Sequence, residues 1–407
     1  MSKWTANTLG DVCAAGGTIQ TGPFGSQLHA EDYVDDGIPV VMPADLVGGR
    51  ISETRVARIG PADVERLSRH KLRPGDIVYS RRGDITRCSR VTDREQGWLC
   101  GTGCLLVRPG SSVDDRWLLY WLSSPWTHEW LYRHAVGATM LNLNTGILAA
   151  LPVDLPSVPE QRRIASVLSL LDDLIDTESQ LRAAALDLAV AVYMVAVKNA
   201  ITEVRLGDVG KWLSGGTPTT SNPDYWGGDL PWISAASLQT FFLRSSGRTL
   251  TSQGASNGTR VVPAGSILFV VRGMSLKSEF RLGVAQRDVA FGQDCKAIIV
   301  NDAMPRATIA VGLLANSDAV LQLVDEAGHG TGRLPTDRIE RLPILLPDPD
   351  LRESIECVLD SLLRLGADCE DSLADLTGTR DELLPLLMSG RVRVEDVKGT
   401  GGNVDAN

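Results

Sequence analysis

The chain has 407 residues, 43% of them hydrophobic and 22% charged, with a formal net charge of −10. That composition excludes a disordered or fibrous protein, and the length favours two or three domains over one core. No basic segment followed by an apolar run opens MSKWTANTLGDV, and the longest apolar-rich stretch, Ala189 to Val197, is too short to span a bilayer, so a cytoplasmic protein with no membrane partner is expected.

Thr8-Leu-Gly-Asp-Val12 opens a region rich in Gly, Pro and short β-type runs. Ile77-Val-Tyr79 and Cys104-Leu-Leu-Val107 predict strands, and Arg116 to Trp130 predicts a helix. Leu151-Pro-Val-Asp-Leu-Pro156 then breaks the chain. Beyond it, Ile164, Val167, Leu168, Leu171, Leu174, Ile175 and Leu181 recur at spacings of three and four, which predicts one long helix running to about Val197. At Arg205-Leu-Gly-Asp-Val209 the same order begins again. Strands are predicted at Ile267–Val271 and Ala297–Val300, a helical stretch over Ala307 to Ala327, and a second break at Leu342-Pro-Ile-Leu-Leu-Pro347. A second stripe follows through Ile355, Val358, Leu359, Leu362, Leu363, Leu365, Leu373 and Leu376, reaching Leu387.

Four blocks therefore recur in one order at offsets of 197, 190, 191 and 191 residues, among them Gly101 and Cys104 against Gly292 and Cys295. The chain reads as two copies of one unit. Two apolar stripes on otherwise charged helices most simply pack on each other as an antiparallel pair. Each helix of about 38 residues would reach up to roughly 57 Å at ~1.5 Å per residue. The expected fold class is α/β (α+β): two mixed globules related by a pseudo-twofold axis and joined by two long antiparallel helices. The boundaries drawn are 1–156, 157–200, 201–347 and 348–390, with a tail over 391–407.

The sequence carries no recognisable catalytic motif. Asn222-Pro223-Asp224-Tyr225 departs from the Asn-Pro-Pro-Tyr of amino-methyltransferases at Asp224 and reads as a turn. Gly215-Gly216-Thr217 lacks the lysine of a phosphate loop. His29, His70, His128, His134 and His329 show no metal-ligand spacing, and seven cysteines, an odd number, fit small buried hydrophobes in a reducing compartment. A non-catalytic chain that binds no metal or cofactor is expected. Charge is unevenly spread, however: residues 50–94 and 239–287 each carry a net +6, and residues 348–382 a net −8. Local basic patches, not the total charge, attract phosphate.

The residues also carry a resemblance. Thr21-Gly-Pro-Phe-Gly-Ser-Gln-Leu28 with Gly37-Ile-Pro-Val-Val-Met-Pro-Ala-Asp-Leu46 resembles one opening of a target recognition domain. Ser214-Gly-Gly-Thr-Pro218 with Tyr225-Trp-Gly-Gly-Asp-Leu-Pro-Trp232 resembles another. Leu155-Pro-Ser-Val-Pro-Glu-Gln161 and Leu383-Leu-Pro-Leu-Leu-Met-Ser-Gly390 are similar to the entry and exit of the spacer helices, although Pro349-Asp-Leu-Arg352 departs from the usual Pro-Glu-Gln. The set resembles the specificity subunit of Type I restriction–modification systems. The resemblance implies two target recognition domains, each reading half of a bipartite, asymmetric site on double-stranded DNA, with the helices fixing the gap. It implies docking of two methyltransferase subunits, which bring S-adenosylmethionine for adenine N6 methylation, and through them motor-nuclease subunits. A recognition adaptor of another phage-defence or fused restriction system is the alternative.

Residues able to contact DNA are Arg, Lys and small polar groups on loops. Ser80, Arg81, Arg82, Arg87 and Arg90 follow a predicted strand, and Arg272, Ser275, Lys277 and Arg281 occupy the aligned loop of the second copy. Gly22, Ser26 and Gln27, Thr217 and Tyr225, and the segment Thr139 to Asn144 are further candidates. For partner binding the stripes offer Ile164, Leu168, Leu171, Ile175, Leu359, Leu362 and Leu363.

Overall fold

The computed structural model describes residues 4–14, 16–137, 140–327 and 331–394. Thr139, His329 and residues 395–407 of the predicted tail lie outside the described residues. The chain divides into two compact units, Met1–Leu174 with Leu376–Asn407, and Ile175–Asp375.

In the first unit, strand Thr5–Thr8 pairs antiparallel with Pro152–Leu155, which closes the globule at its two chain ends. The Thr8 hydroxyl and amide donate to Asp11, whose own amide donates back to the Thr8 hydroxyl, so the repeated Leu-Gly-Asp-Val block starts a helix, Leu9–Ala14, at a reciprocal cap. One sheet runs in the order Thr18–Thr21, Cys104–Arg108, Ile77–Ser80, Cys88–Arg90, antiparallel throughout. A second, mixed sheet runs Leu99–Cys100, Ile38–Val41, Ala57–Ile59, Tyr33–Val34. In the core, Tyr79, Leu105 and Val107 meet Trp117, Leu118 and Leu148.

The second unit repeats the plan. Thr202–Arg205 pairs with Pro343–Leu346. Its main sheet runs Gly210–Ser214, Cys295–Val300, Ile267–Val270, Leu282–Ala285, the same order as in the first unit, with Phe242–Leu243 added at the edge. A second sheet runs Thr249–Leu250, Trp226–Ile233, Val289–Phe291, Arg260–Val262. The aligned Gly-x-x-Cys blocks do one job in both units. The Cys104 amide donates to Gly101 O and the Cys295 amide to Gly292 O, each at 3.1 Å. The entrance loop then lies against that turn so closely that a Cβ on Gly22 would sit 1.8 Å from Gly101 O, and one on Gly215 2.2 Å from Gly292 O. Only glycine permits that approach.

The predicted helix over 116–130 is two helices, Asp115–Leu122 and Pro125–His134, because Pro125 lacks the amide a continuous helix needs. Residues 307–327 divide into helices Arg306–Ala315 and Ser317–Leu321 and a strand, Asp325–Ala327, which pairs with Thr331–Arg333.

Both long helices are present, Val158–Ala196 and Pro349–Met388. They run antiparallel within each unit. Asp172 of the first meets Arg380 of the second at 3.3 Å in the first unit. In the second unit Arg182 pairs with Glu370, and Ala189 and Tyr193 pack in one cluster with Leu359. The departure at Pro349-Asp-Leu-Arg352 is absorbed locally. Buried Gln161 takes the Asp114 amide and donates to Pro156 O; in the second unit Arg352 donates to Pro347 O, and Glu356 receives the amides of Ala307 and Thr308. Val158–Ala196 is, by length and composition alone, apolar enough to cross a membrane, with a mean hydropathy of 1.3 over an 18-residue window, longer than the run 189–197 suggests.

Candidate nucleic-acid interface

The strand Ile77–Ser80 is buried at all four positions, so Ser80 is the end of a core strand rather than a contact residue. Its hydroxyl donates to Arg82 O. The loop that follows is held on both sides by backbone bonds: the Arg81 amide donates to Gly103 O and the Leu143 amide to Arg81 O, both at 2.9 Å. Asn142 bridges both Arg82 and Val136 through its backbone, which seats the described part of the 139–144 segment against the arginine loop. Asn144 instead caps the helix Thr145–Ala149.

Within this loop the cations divide. The Arg81 guanidinium lies 5.9 Å from the centre of the Phe24 ring, and its Nε is buried without a hydrogen-bond partner. Burial first, then the charge of Arg82, lowers its pKa from the ordinary arginine value. Arg82 is exposed and has no ion pair with a described residue. Arg87 is held by Asp84 at 3.0 Å. The Thr86 hydroxyl, above all, keeps the Asp84 carboxyl below its usual range. Arg90 is half-buried and pairs with Asp115 at the start of the next helix. Gly22 is buried and serves the close approach already described. Gln27 accepts the Phe24 amide at 3.0 Å and closes the turn that leaves Phe24 54% exposed, with Ser26 exposed beside it.

In the second unit the aligned loop is less neutralised. Arg272 and Lys277 are exposed and have no ion pair with a described residue. Arg281 pairs with Glu279 at 2.8 Å. Ser275 begins a single 3-10 turn through Lys277 and its carbonyl accepts the amides of Ser278 and Glu279. Across the Gly-rich entrance loop, the Thr217 hydroxyl meets the side-chain amide of Gln293. Tyr225 is half-buried, and its carbonyl accepts the Thr251 amide, so Asn222-Pro223-Asp224-Tyr225 is a turn fixed to the neighbouring strand. Sequence reading missed Arg248, which lies over Trp226 at 3.6 Å. Its signal was its basic neighbourhood, but nothing in the local pattern joins residue 248 to residue 226.

The stripe residues named for partner binding are in large part occupied. Ile164, Leu168 and Leu359 are at most 1% exposed, and Leu362 and Leu363 pack on the core of the second unit, so they hold the helices to their own globules. Leu171 and Ile175 are half-buried. A different set is open: Leu174, Leu181, Leu188 and Val195 on the first helix, and Leu351, Val358 and Leu365 on the second, all 39% exposed or more. Both sets repeat every seven residues. A cavity of about 1200 Å³ lies in the first unit at the foot of the first helix, lined by Trp4, Trp121, Trp126, Trp130 and Arg163. Its counterpart in the second unit, about 770 Å³, is lined by Leu188, Val195, Ile201 and Leu351. Neither contains a residue of the arginine loops. Among the described residues no His/Cys/Asp/Glu group has the makings of a metal site.

Comparison with known proteins adds to this geometry. A model of the Type I restriction modification DNA specificity domain matches residues 1–186 and again 199–366. The Type I restriction enzyme EcoR124I/EcoR124II specificity subunit of Escherichia coli is 26% identical over 157 residues, 38% of this chain and 39% of that protein. The MjaIX specificity subunit of Methanocaldococcus jannaschii is 26% identical over 163 residues, 38% of this chain and 36% of that protein. These alignments thus span well under half of the curated relatives. In fold, the chain is similar to a crystal structure of a Type-I restriction-modification system S subunit from M. genitalium, with a TM-score of 0.62 over 94% of this chain and 96% of the other at 16% identity.

Proposed function

The chain belongs to the Type I restriction–modification DNA specificity family and carries its domain twice, and from that premise we propose that each unit reads one half of a bipartite, asymmetric site on double-stranded DNA. One observation carries the reading. Two units with the same strand order each present an arginine loop after the same core strand, Arg81 to Arg87 after Ile77–Ser80 and Arg272 to Lys277 after Ile267–Val270. Cations with no carboxylate partner among the described residues, such as Arg82, Arg272 and Lys277, suit phosphate and base-edge contacts, whereas Arg87, Arg90 and Arg281 are already paired.

The chain contributes recognition and not catalysis. The reacting groups and S-adenosylmethionine belong to two methyltransferase subunits that dock on the long helices, and motor-nuclease subunits join through them. The open stripe Leu174, Leu181, Leu188 and Val195, with Leu351, Val358 and Leu365, supports a protein partner there, because a heptad spacing is what a packed partner helix covers.

The test is to map modified bases in host genomic DNA with the gene present and deleted. Loss of N6-methyladenine at a gapped, two-part motif is the expected result. Unchanged modification overturns the reading.

A further inference from the structure

The stretch 214–232 and the strand after it build a feature that the arginine loops do not share. Trp226 and Trp232 meet edge to face, with ring centres 5.4 Å apart and planes at 87°. Their indole nitrogens are both engaged, Trp226 Nε1 donating to Thr219 O at 3.2 Å and Trp232 Nε1 to Gly216 O at 3.1 Å. The two rings therefore anchor the Gly-rich entrance loop and are themselves fixed by it.

Arg248 lies on this pair. Its guanidinium carbon is 3.6 Å from the Trp226 ring centre and 5.3 Å from that of Trp232. The backbone beneath it is pinned as well: Arg248 O accepts the Trp232 amide at 2.9 Å, and the Ser246 hydroxyl donates to Trp232 O at 2.8 Å. The residue is exposed, and among the described residues it has no carboxylate partner. Arg244, four residues earlier, is by contrast tied to Asp371.

We infer that Arg248 is a specificity-determining residue of the second unit, which reads a guanine edge through a guanidinium that Trp226 and Trp232 hold in place. The inference rests on the reading that the second unit contacts DNA, and it deepens that reading. Stacking uses the face of the guanidinium and leaves its in-plane N–H groups free. Two of these in a fixed fork match the paired acceptors O6 and N7 of guanine in the major groove. A phosphate accepts the same fork bidentately but carries no sequence information, so a change of motif, not of overall affinity, is the mark of base reading. The aromatic pair is not itself the reader: Trp232 is 7% exposed, and Arg248 lies over Trp226.

Three host strains test this, carrying the wild-type chain, Arg248→Lys or Arg248→Ala, each mapped for N6-methyladenine by single-molecule sequencing. The expected result is a motif whose one half is unchanged while one G·C position in the other half loses discrimination roughly tenfold or more in both variants. The unchanged half reports that the variants fold. Motifs identical at every position overturn the inference, and a uniform fall in methylation without a change of motif identifies a phosphate contact instead. If the variants abolish methylation altogether, the purified full chain is titrated against duplexes substituted at each position of that half-site. Selective loss of the penalty at one G·C position supports base reading, and equal loss at all positions overturns it. No gapped motif in the wild-type strain removes the parent reading and this inference together, which separates that failure from the others.

Discussion

Along Ile77–Ser80 all four side chains are buried, so the first group free to leave the core is Arg81, and the chemistry of the loop depends on what each following cation finds. Arg87 and Arg90 find Asp84 and Asp115; Arg82 finds no carboxylate among the described residues. Carboxylates are settled in the same way. Glu95 is 2% exposed, accepts the amide and hydroxyl of Thr92 and pairs with Arg94. Burial pushes its pKa up, but the Thr92 donors and Arg94 outweigh burial and hold it below the ordinary value of 4.5. A carboxyl depressed on folding stabilises the fold at pH above its unfolded value, and that stability is lost as pH falls through the folded pKa. Unfolding by urea is therefore expected to become easier below about pH 4.5. Glu95→Gln is expected to lower stability at pH 7 by about 1–2 kcal/mol and to remove its share of the acid dependence. An unchanged pH profile in the variant would count against this assignment.

At the scale of the element, the second long helix holds two glycines with opposite demands. A Cβ on Gly366 would lie 2.3 Å from the Phe242 ring, which is 1% exposed and wedged against the helix. A Cβ on Gly378 would meet nothing within 4 Å. Helix propensity alone favours alanine over glycine by about 1 kcal/mol. Gly378→Ala is thus expected to stabilise by roughly 0.5–1 kcal/mol, and Gly366→Ala to destabilise by about 1–3 kcal/mol because overpacking outweighs propensity. Denaturant midpoints of the two variants measure the difference, and a shift of the same sign in both refutes it. Sequence alone cannot rank the two glycines, since Phe242 lies more than a hundred residues from Gly366 along the chain. The helix entry at Pro349 shows the converse: a local departure from the first copy, made good by Arg352 and Glu356.

For the whole molecule, duplication gives two units with one strand order, and the exposed heptad stripe is the face proposed above for a partner. Leu188→Glu with Val195→Glu is expected to abolish co-purification with the methyltransferase subunit while leaving the thermal midpoint within a few degrees, since both side chains are more than half exposed. Retained co-purification excludes this face. The repeat, the core strands and the two long helices were determined by the sequence itself. Their signals are local: a 3.6-residue period, β-branched runs, and glycines where two backbones meet. Partner availability was decided by the tertiary structure. Leu168 and Leu188 lie on one helix, yet Leu168 is buried in its globule and Leu188 is open. Arg244 and Arg248 stand four residues apart, yet one meets Asp371 from far along the chain and the other rests on two tryptophans. Periodicity fixes which face a side chain takes, but only the packed chain brings up the carboxylate or ring that occupies it.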